Sequence, residues 1–270
     1  MTVYINGKFL DAKDAKISPF DRGFLYGEGA FETLRLYNGK VLFLKKHYKR
    51  LINTLAFLDI EFKLTFKKLE SIINKLQRQN KLSNASIRIS ISKSTVFVLI
   101  KKLPYNPKKF FKYGVSLRVS VLRRNPYSFA PYHKTMNYVE NIYEKKMAIN
   151  KGYFDSLFFD ISGNYITECA TSNIFVVKNE ILYTPSIELP LLPGIIRENI
   201  IEWARNIDIN VKEQKIKKSI LSKADEIFIT NSIAGILPVK KIENSFTTKS
   251  IPGRLTKLLY QKYKNYLGKI

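Results

Sequence analysis

The chain is 270 residues long, 45% hydrophobic and 25% charged. That suits one large or two smaller globular domains with a sizeable core, and it excludes a disordered chain. The 46 Lys+Arg against 22 Asp+Glu give a net charge of +24. These charges are scattered in pairs such as Lys45-Lys46, Lys145-Lys146 and Lys217-Lys218, so they read as a solubilising surface that also draws anionic metabolites, more than as a nucleic-acid-binding stripe.

The single cysteine, Cys169, excludes an intrachain disulfide and suits a reducing cytoplasm. With only His47 and His133 beside it, the chain has too few soft ligands for a zinc site, and no metal is expected. Residues 1–8 read as a strand and turn rather than a signal peptide, and no apolar run reaches the length of a membrane span. The expected location is cytoplasmic.

In chain order, two Asn-Gly dipeptides mark hairpins. Asn6-Gly7 lies between Val3–Ile5 and Phe9–Leu10, and Asn38-Gly39 between Ala30–Tyr37 and Val41–Leu44. Gly27-Glu28-Gly29 is a turn feeding the second hairpin. Leu51, Leu55 and Leu58 predict a helix over 45–58, and Leu69, Ile72, Ile73 and Leu76 another over 65–79. Strands are expected at 85–92, 95–100 and 114–122, with a polar, proline-broken loop over 103–109. Residues 123–132, interrupted by Pro126 and Pro131, are the linker candidate. The expected domains are therefore 1–122, a small α+β unit, and 133–270, a larger one.

The second half opens with a helix over 136–150. Strands follow at 156–159, 165–168, 174–177 and 181–183, then a helix at 195–206, a strand at 211–216 and a short helix at 219–223. Strands at 226–230 and 237–239 precede a closing helix over 251–267.

Two residues carry chemistry as a pair. Lys134 stands where the proline-rich loop meets a helix, a place where an amine can be held against a ligand. Taken alone, in so basic a chain, it reads as a solvated surface charge, and Glu168 alone reads as a strand-edge acid. Together they match one chemistry: a lysine forms a Schiff base with an aldehyde cofactor, and a carboxylate keeps a proton on that cofactor's pyridine nitrogen. Pro193-Gly194-Ile195-Ile196 opens a helix whose free N–H groups attract phosphate. Thr230-Asn231-Ser232-Ile233 ends a strand in hydroxyl and amide groups, a second shelf for an anion. Arg50, beside Leu51 on its helix, offers a bidentate clamp. Neither a Walker A loop nor a complete Gly-x-Gly-x-x-Gly fingerprint is present.

These segments, in order and spacing from Asp21-Arg22-Gly23-Phe24-Leu25-Tyr26-Gly27-Glu28-Gly29-Ala30-Phe31-Glu32-Thr33 to Gly235-Ile236-Leu237-Pro238-Val239, resemble the class IV aminotransferase family, the fold type IV pyridoxal-phosphate enzymes. The resemblance implies an α+β fold of two domains, a smaller N-terminal α/β sandwich and a larger C-terminal pseudo-barrel with flanking helices. It implies pyridoxal 5'-phosphate as cofactor, a small-molecule amino substrate and a homodimer. By position, Lys134 matches the Schiff-base lysine, Glu168 the carboxylate at the pyridine nitrogen and Arg50 the phosphate-binding arginine. Gly194, Ile195 and Ile196 match the phosphate-holding helix start. Ser232 and Ile233 fall where a phosphate-contacting hydroxyl is common, and Ile233, lacking one, offers its amide. Tyr138 matches a tyrosine near the cofactor's phenolic oxygen.

Three activities share this machinery: 4-amino-4-deoxychorismate lyase, branched-chain aminotransferase and D-amino-acid aminotransferase. Arg123-Arg124-Asn125, His133-Lys134-Thr135-Met136-Asn137-Tyr138 and Thr230 to Val239 resemble the lyase pattern. Phe31 stands where D-amino-acid aminotransferases usually carry tyrosine. Ser92-Lys93-Ser94-Thr95 departs from the Arg-Gly run of many lyases. Tyr26, Phe31, Arg35, Arg88 and Lys93 are the candidate substrate contacts.

Overall fold

The computed structural model describes every residue except Lys249 and Ile270. The chain forms two compact units, one of Met1–Tyr105 with His133–Tyr138 and the other of Asn106–Tyr132 with Val139–Ile270.

The first unit is a six-stranded antiparallel sheet with helices packed against it. Its strands are β1 (Thr2–Ile5), β2 (Lys8–Asp11), β3 (Gly29–Tyr37), β4 (Lys40–Val41), β5 (Ala85–Ser92) and β6 (Val96–Lys101), in the order β2-β1-β6-β5-β3-β4. Its helices are α1 (Arg22–Tyr26), α2 (Leu44–Phe57) and α3 (Phe66–Asn80). The period-two alternation of β5 turns Ile87, Ile89 and Ile91 into the core, where they meet Leu69, Ile72, Ile73 and Leu76 from one stripe of α3 and Leu51 and Leu55 from α2. The opposite face of β5 carries Ser86, Arg88 and Ser90. Both predicted hairpins form, with Asn6, Gly7, Asn38 and Gly39 all at positive φ. The short helix α1 was not expected. It is held by Asp21 at its N-cap and by Gly27 at φ 70° at its C-cap.

The second unit consists of α4 (Pro107–Tyr113), β7 (Val115–Arg124), α5 (Val139–Asn150), β8 (Asp155–Asp160), β9 (Tyr165–Cys169), β10 (Asn173–Lys178), β11 (Ile181–Pro185), α6 (Ile195–Arg205), β12 (Val211–Gln214), β13 (Ile216–Lys217), β14 (Glu226–Asn231), β15 (Gly235–Ile242), β16 (Phe246–Thr247) and α7 (Arg254–Lys269). Its sheet runs β12-β11-β10-β14-β15-β7-β8-β9-β13, with β16 on β15. The expected single strand at 211–216 breaks at Lys215 and changes partners: β12 pairs with β11 at one end of the sheet and β13 with β9 at the other. One stretch of chain thus ties both edges together, giving a nearly closed, barrel-like sheet with no long open edge. Stacked Phe175 and Phe228, 4.8 Å apart, lie in its fully buried core.

The units divide the chain differently from the expected boundaries. The loop expected over 103–109 gives way at Pro107 to a helix capped by Asn106, and β7 belongs to the second sheet, where it pairs in parallel with β8 and β15. Its partners lie far along the chain, which local pattern cannot reveal. Residues 133–138, expected to open the second domain, belong to the first unit, and the helix expected from Met136 starts only at Val139. Among the described residues, no helix is long and apolar enough to cross a membrane.

Candidate active site

In the first unit, β3 fixes the lysine-bearing segment. Only Leu36 and Tyr37 of β3 pair with β4, which leaves the edge at 29–31 for another strand. The Phe31 N–H donates to the Lys134 carbonyl (2.9 Å) and the Met136 N–H to the Gly29 carbonyl (2.7 Å), with Ala30 opposite Thr135. Gly29 is needed for this approach, since a Cβ there would stand 2.5 Å from the Ile91 carbonyl and 2.7 Å from Met136 Sδ. His133 stacks on Phe57 at 3.8 Å, a further anchor for the loop.

The Lys134 side chain is half-buried. Its Nζ lies 4.5 Å from the Phe31 ring centre and 5.0 Å from that of Tyr138, and the two rings meet edge to face. Arg88 lays its guanidinium over the same Phe31 ring at 3.5 Å, with Nε donating to Ser90 Oγ at 3.0 Å. Burial pulls the Arg88 pKa down to about 10, against the opposing influence of Tyr138 and Glu32. A cation this poorly solvated gains from an anionic ligand. Phe31, Arg88, Lys134 and Tyr138 are therefore brought together. Arg35 shares the face of β3 that holds Phe31, with its guanidinium 5.8 Å from the Tyr37 ring. Tyr26, under Arg22, and Lys93, in the β5–β6 turn, stand in solvent rather than packed in this cluster.

Glu32 lies on the other face of β3, toward α2, where it meets Arg50 and His47. Arg50 Nε donates to Glu32 Oε1 (2.6 Å) and Nη2 to Oε2 (2.8 Å), while His47 Nδ1 lies 2.7 Å from Oε2. Sequence reading missed Glu32 and His47. The available signal was parity: in the run Ala30–Leu36 the carboxylate falls in register with Ala30, Leu34 and Leu36, the inward positions.

In the second unit, Glu168 on β9 is 5% exposed. Its Oε1 accepts from Arg124 Nη2 at 3.0 Å and its Oε2 from the Leu192 N–H at 3.1 Å. Arg124, at the end of β7, rests 3.9 Å from the centre of the Phe158 ring and reaches Asn141 Oδ1 at 3.4 Å. Beyond Leu192 the chain turns into α6 at Gly194, whose missing side chain is required by close approach. A Cβ there would overlap Asn173 Oδ1, while Asn173 Nδ2 holds the Leu192 carbonyl at 2.9 Å. The first-turn amides of Ile195 and Ile196 have no acceptor within the helix, and Gly194 supplies no side-chain cap. Thr230, opposite Asn173 on the neighbouring strand, buries a hydroxyl that has no partner among the described residues.

Asn231 organises the turn that follows. Its Oδ1 accepts from the N–H groups of Ile233 (3.0 Å) and Ala234 (2.8 Å), and its Nδ2 donates to Ser172 Oγ (3.1 Å). The Ile233 amide is thus engaged within the turn, which leaves the Ser232 hydroxyl as the group free of that arrangement. Ser172 and Thr171 are in turn held by the fully buried Asp155. Cys169 is buried, and burial foremost pushes its thiol far up, so it acts as an apolar filler and not a nucleophile.

The sequence model of amino-transferase class IV matches residues 29–242. The chain belongs to the class IV aminotransferase family. Aminodeoxychorismate lyase of Bacillus subtilis is 33% identical over 279 residues, covering 97% of this chain and 93% of that protein. D-alanine aminotransferase of Staphylococcus epidermidis is 27% identical over 278 residues, covering 98% and 97%. The crystal structure of Escherichia coli branched-chain amino acid aminotransferase superposes with a TM-score of 0.91 at 25% identity, covering 98% of this chain and 93% of that one. This class IV enzyme is therefore dependent on pyridoxal phosphate and has the fold type IV architecture.

The residues present fit that cofactor. A carboxylate is buried in the second unit beside an open helix start and an orphaned threonine hydroxyl, and a half-buried amine in the first unit is packed against two aromatic rings. The second unit by itself thus carries an acid and anion-binding donors, and the first unit by itself an amine, the kinds of group a phosphorylated pyridine aldehyde asks for.

Proposed function

We propose that this enzyme is a 4-amino-4-deoxychorismate lyase, releasing pyruvate and leaving 4-aminobenzoate for folate synthesis, and that it works as a homodimer in the cytoplasm. The observation that carries this reading is Arg88. A poorly solvated guanidinium flat on Phe31, in the same cluster as the Lys134 amine, suits an amino substrate that also bears carboxylates. The motif runs around Lys134 and Thr230 to Val239 support the lyase, and the Bacillus subtilis lyase is similar over its full length. Phe31, in place of a tyrosine, argues against the D-amino-acid aminotransferase.

In this reading Lys134 Nζ is the amine that holds the cofactor's aldehyde carbon. The same Nζ would also take a proton from the substrate ring carbon and deliver one to the departing pyruvate fragment. Glu168 would hold the proton on the pyridine nitrogen, and the bound cofactor would supply the electron sink for the charge left by proton removal. Arg50, the Ile195 and Ile196 amides and the Ser232 hydroxyl hold the phosphate. Gly194 gives the phosphate room, and Tyr138 flanks the ring. Arg88 and Phe31 orient the substrate, with Arg35 a further carboxylate partner.

Structural likeness to the Escherichia coli branched-chain enzyme keeps an aminotransferase as the second reading. Incubating the purified protein with aminodeoxychorismate and following 4-aminobenzoate decides between them. Product formation supports the lyase. No product, with brisk exchange between leucine or D-alanine and 2-oxoglutarate, overturns it. Light scattering on an eluting column tests the dimer.

A further inference from the structure

Glu32 is an unusual residue for its place in the fold. It sits on the core face of β3 with Ala30, Leu34 and Leu36 and has no solvent exposure. A carboxylate there persists only if its partners replace water. Both partners come from one helix. His47 and Arg50, three positions apart on α2, face the same side, and together they engage both carboxylate oxygens. Burial keeps the His47 ring neutral by pushing its pKa down, so Nδ1–H acts as a neutral donor and Arg50 is the compensating charge. Burial alone would raise the Glu32 carboxyl, but Arg50 foremost, then His47, holds it well below the usual carboxylate range.

The contact to Arg50 has two points, through Nε and Nη2. A guanidinium is planar and rigid, so fixing one edge of the fork fixes the direction of the whole group. An arginine held this way loses little freedom when an anion binds, whereas a freely rotating one must be ordered at that moment. The carboxylate also carries a cost, because its negative charge subtracts from the pull of Arg50 on an anion. Orientation and charge therefore act in opposite directions. The two-point geometry, with His47 holding the same carboxylate in place, favours orientation.

We infer that Glu32 is a positioning residue which, by docking the Arg50 fork in one direction, sets how strongly the protein prefers a phosphorylated cofactor over its unphosphorylated counterpart. This rests on the reading of Arg50 as a phosphate-binding residue. Glu32 itself touches no part of the ligand, and its effect passes through Arg50.

The test is a comparison of two ligands. The full chain is dialysed to equilibrium against pyridoxal 5'-phosphate or against pyridoxal, and binding is read from the absorbance of the bound ligand. The ratio of the two dissociation constants isolates the phosphate contribution, and a merely structural defect would weaken both ligands alike. Arg50→Gln should abolish most of the preference. Glu32→Asp keeps the charge but is one methylene too short to span both contacts, and the preference should fall about tenfold. Glu32→Gln should fall as far, because one amide donor then faces an Arg50 or His47 donor. Urea midpoints identify any variant that is not folded, and if Glu32→Gln is lost this way, Glu32→Asp carries the comparison. An unchanged or increased preference in the folded Glu32 variants, with Arg50→Gln defective, would overturn the inference. An unchanged preference in Arg50→Gln would instead remove the reading of Arg50 on which it rests.

Discussion

Arg124 and Glu168 form a buried ion pair, Nη2 to Oε1 at 3.0 Å, with side chains 3% and 7% exposed. Two charges so far out of water hold each other only while both are present, since removing one leaves the other uncompensated. Arg124→Met should therefore lower the urea stability by about 3 kcal/mol. Glu168→Gln keeps the side chain's size but sets an amide N–H against either the Arg124 or the Leu192 donor and leaves Arg124 without its counter-charge, so it should cost a comparable amount of stability. It should slow turnover by roughly a hundredfold or more while the cofactor stays bound, as expected for loss of one electrostatic contact to the reacting system. A Glu168→Gln enzyme of near-normal rate would remove Glu168 from the proposed chemistry.

Lys134 is held by backbone bonds to β3 and packed on Phe31 and Tyr138, so its replacement should leave the fold intact. Lys134→Ala should reduce turnover by about four orders of magnitude, since both covalent attachment and proton transfer depend on one atom. Borohydride reduction of the wild-type holoenzyme, followed by peptide mapping, should find the cofactor on Lys134. Finding it on a different lysine ends the assignment.

Gly194→Ala introduces a methyl group against Asn173 Oδ1 at the start of α6. Overpacking of this kind costs about 1–3 kcal/mol. Here the strain falls on the proposed phosphate shelf, so the expected result is a several-fold weaker affinity for pyridoxal 5'-phosphate. Unaltered affinity would show that the helix start does not carry the phosphate.

Asp21 gives a pH dependence. Its carboxylate accepts from the hydroxyls of Ser92 (2.6 Å), Ser94 (2.6 Å) and Thr95 (2.7 Å) and from the Phe24 N–H (3.1 Å). Burial alone would raise its pKa, but these four hydrogen bonds bring it from 3.8 down to about 2. A folded value below the unfolded one means that the charged form favours folding. The contribution is complete above about pH 4 and disappears as the pH falls through about 2. Asp21→Asn should thus destabilise the protein near neutrality and close to nothing at the acid end of that window. Equal losses at pH 7 and pH 2.5 in urea titrations would contradict the assignment.

Much of this enzyme follows from local physics alone. The Asn-Gly turns, the amphipathic stripes of α2 and α3 and the apolar strands are set by chain geometry and by the burial of nearby side chains, so they can be read along the sequence. Lys134, Glu168, Arg50 and the Pro-Gly helix start stand out as candidates for a related reason, since the proposed chemistry asks for those residue types whatever surrounds them. The partners that hold them were not. Arg124 reaches Glu168, Glu32 reaches Arg50, Asn173 shapes the Gly194 turn and Asp155 braces Thr171 and Ser172 across separate strands and helices. No period or motif in the chain encodes such meetings.

The tertiary structure alone decided which sheet β7 joins, how residues 211–217 change partners at Lys215 to bring the barrel near closure, and why 134–136 bond to β3 so that the helix starts only at Val139. Each depends on backbone hydrogen bonds between segments distant in sequence, and those bonds form wherever packing leaves an unpaired strand edge.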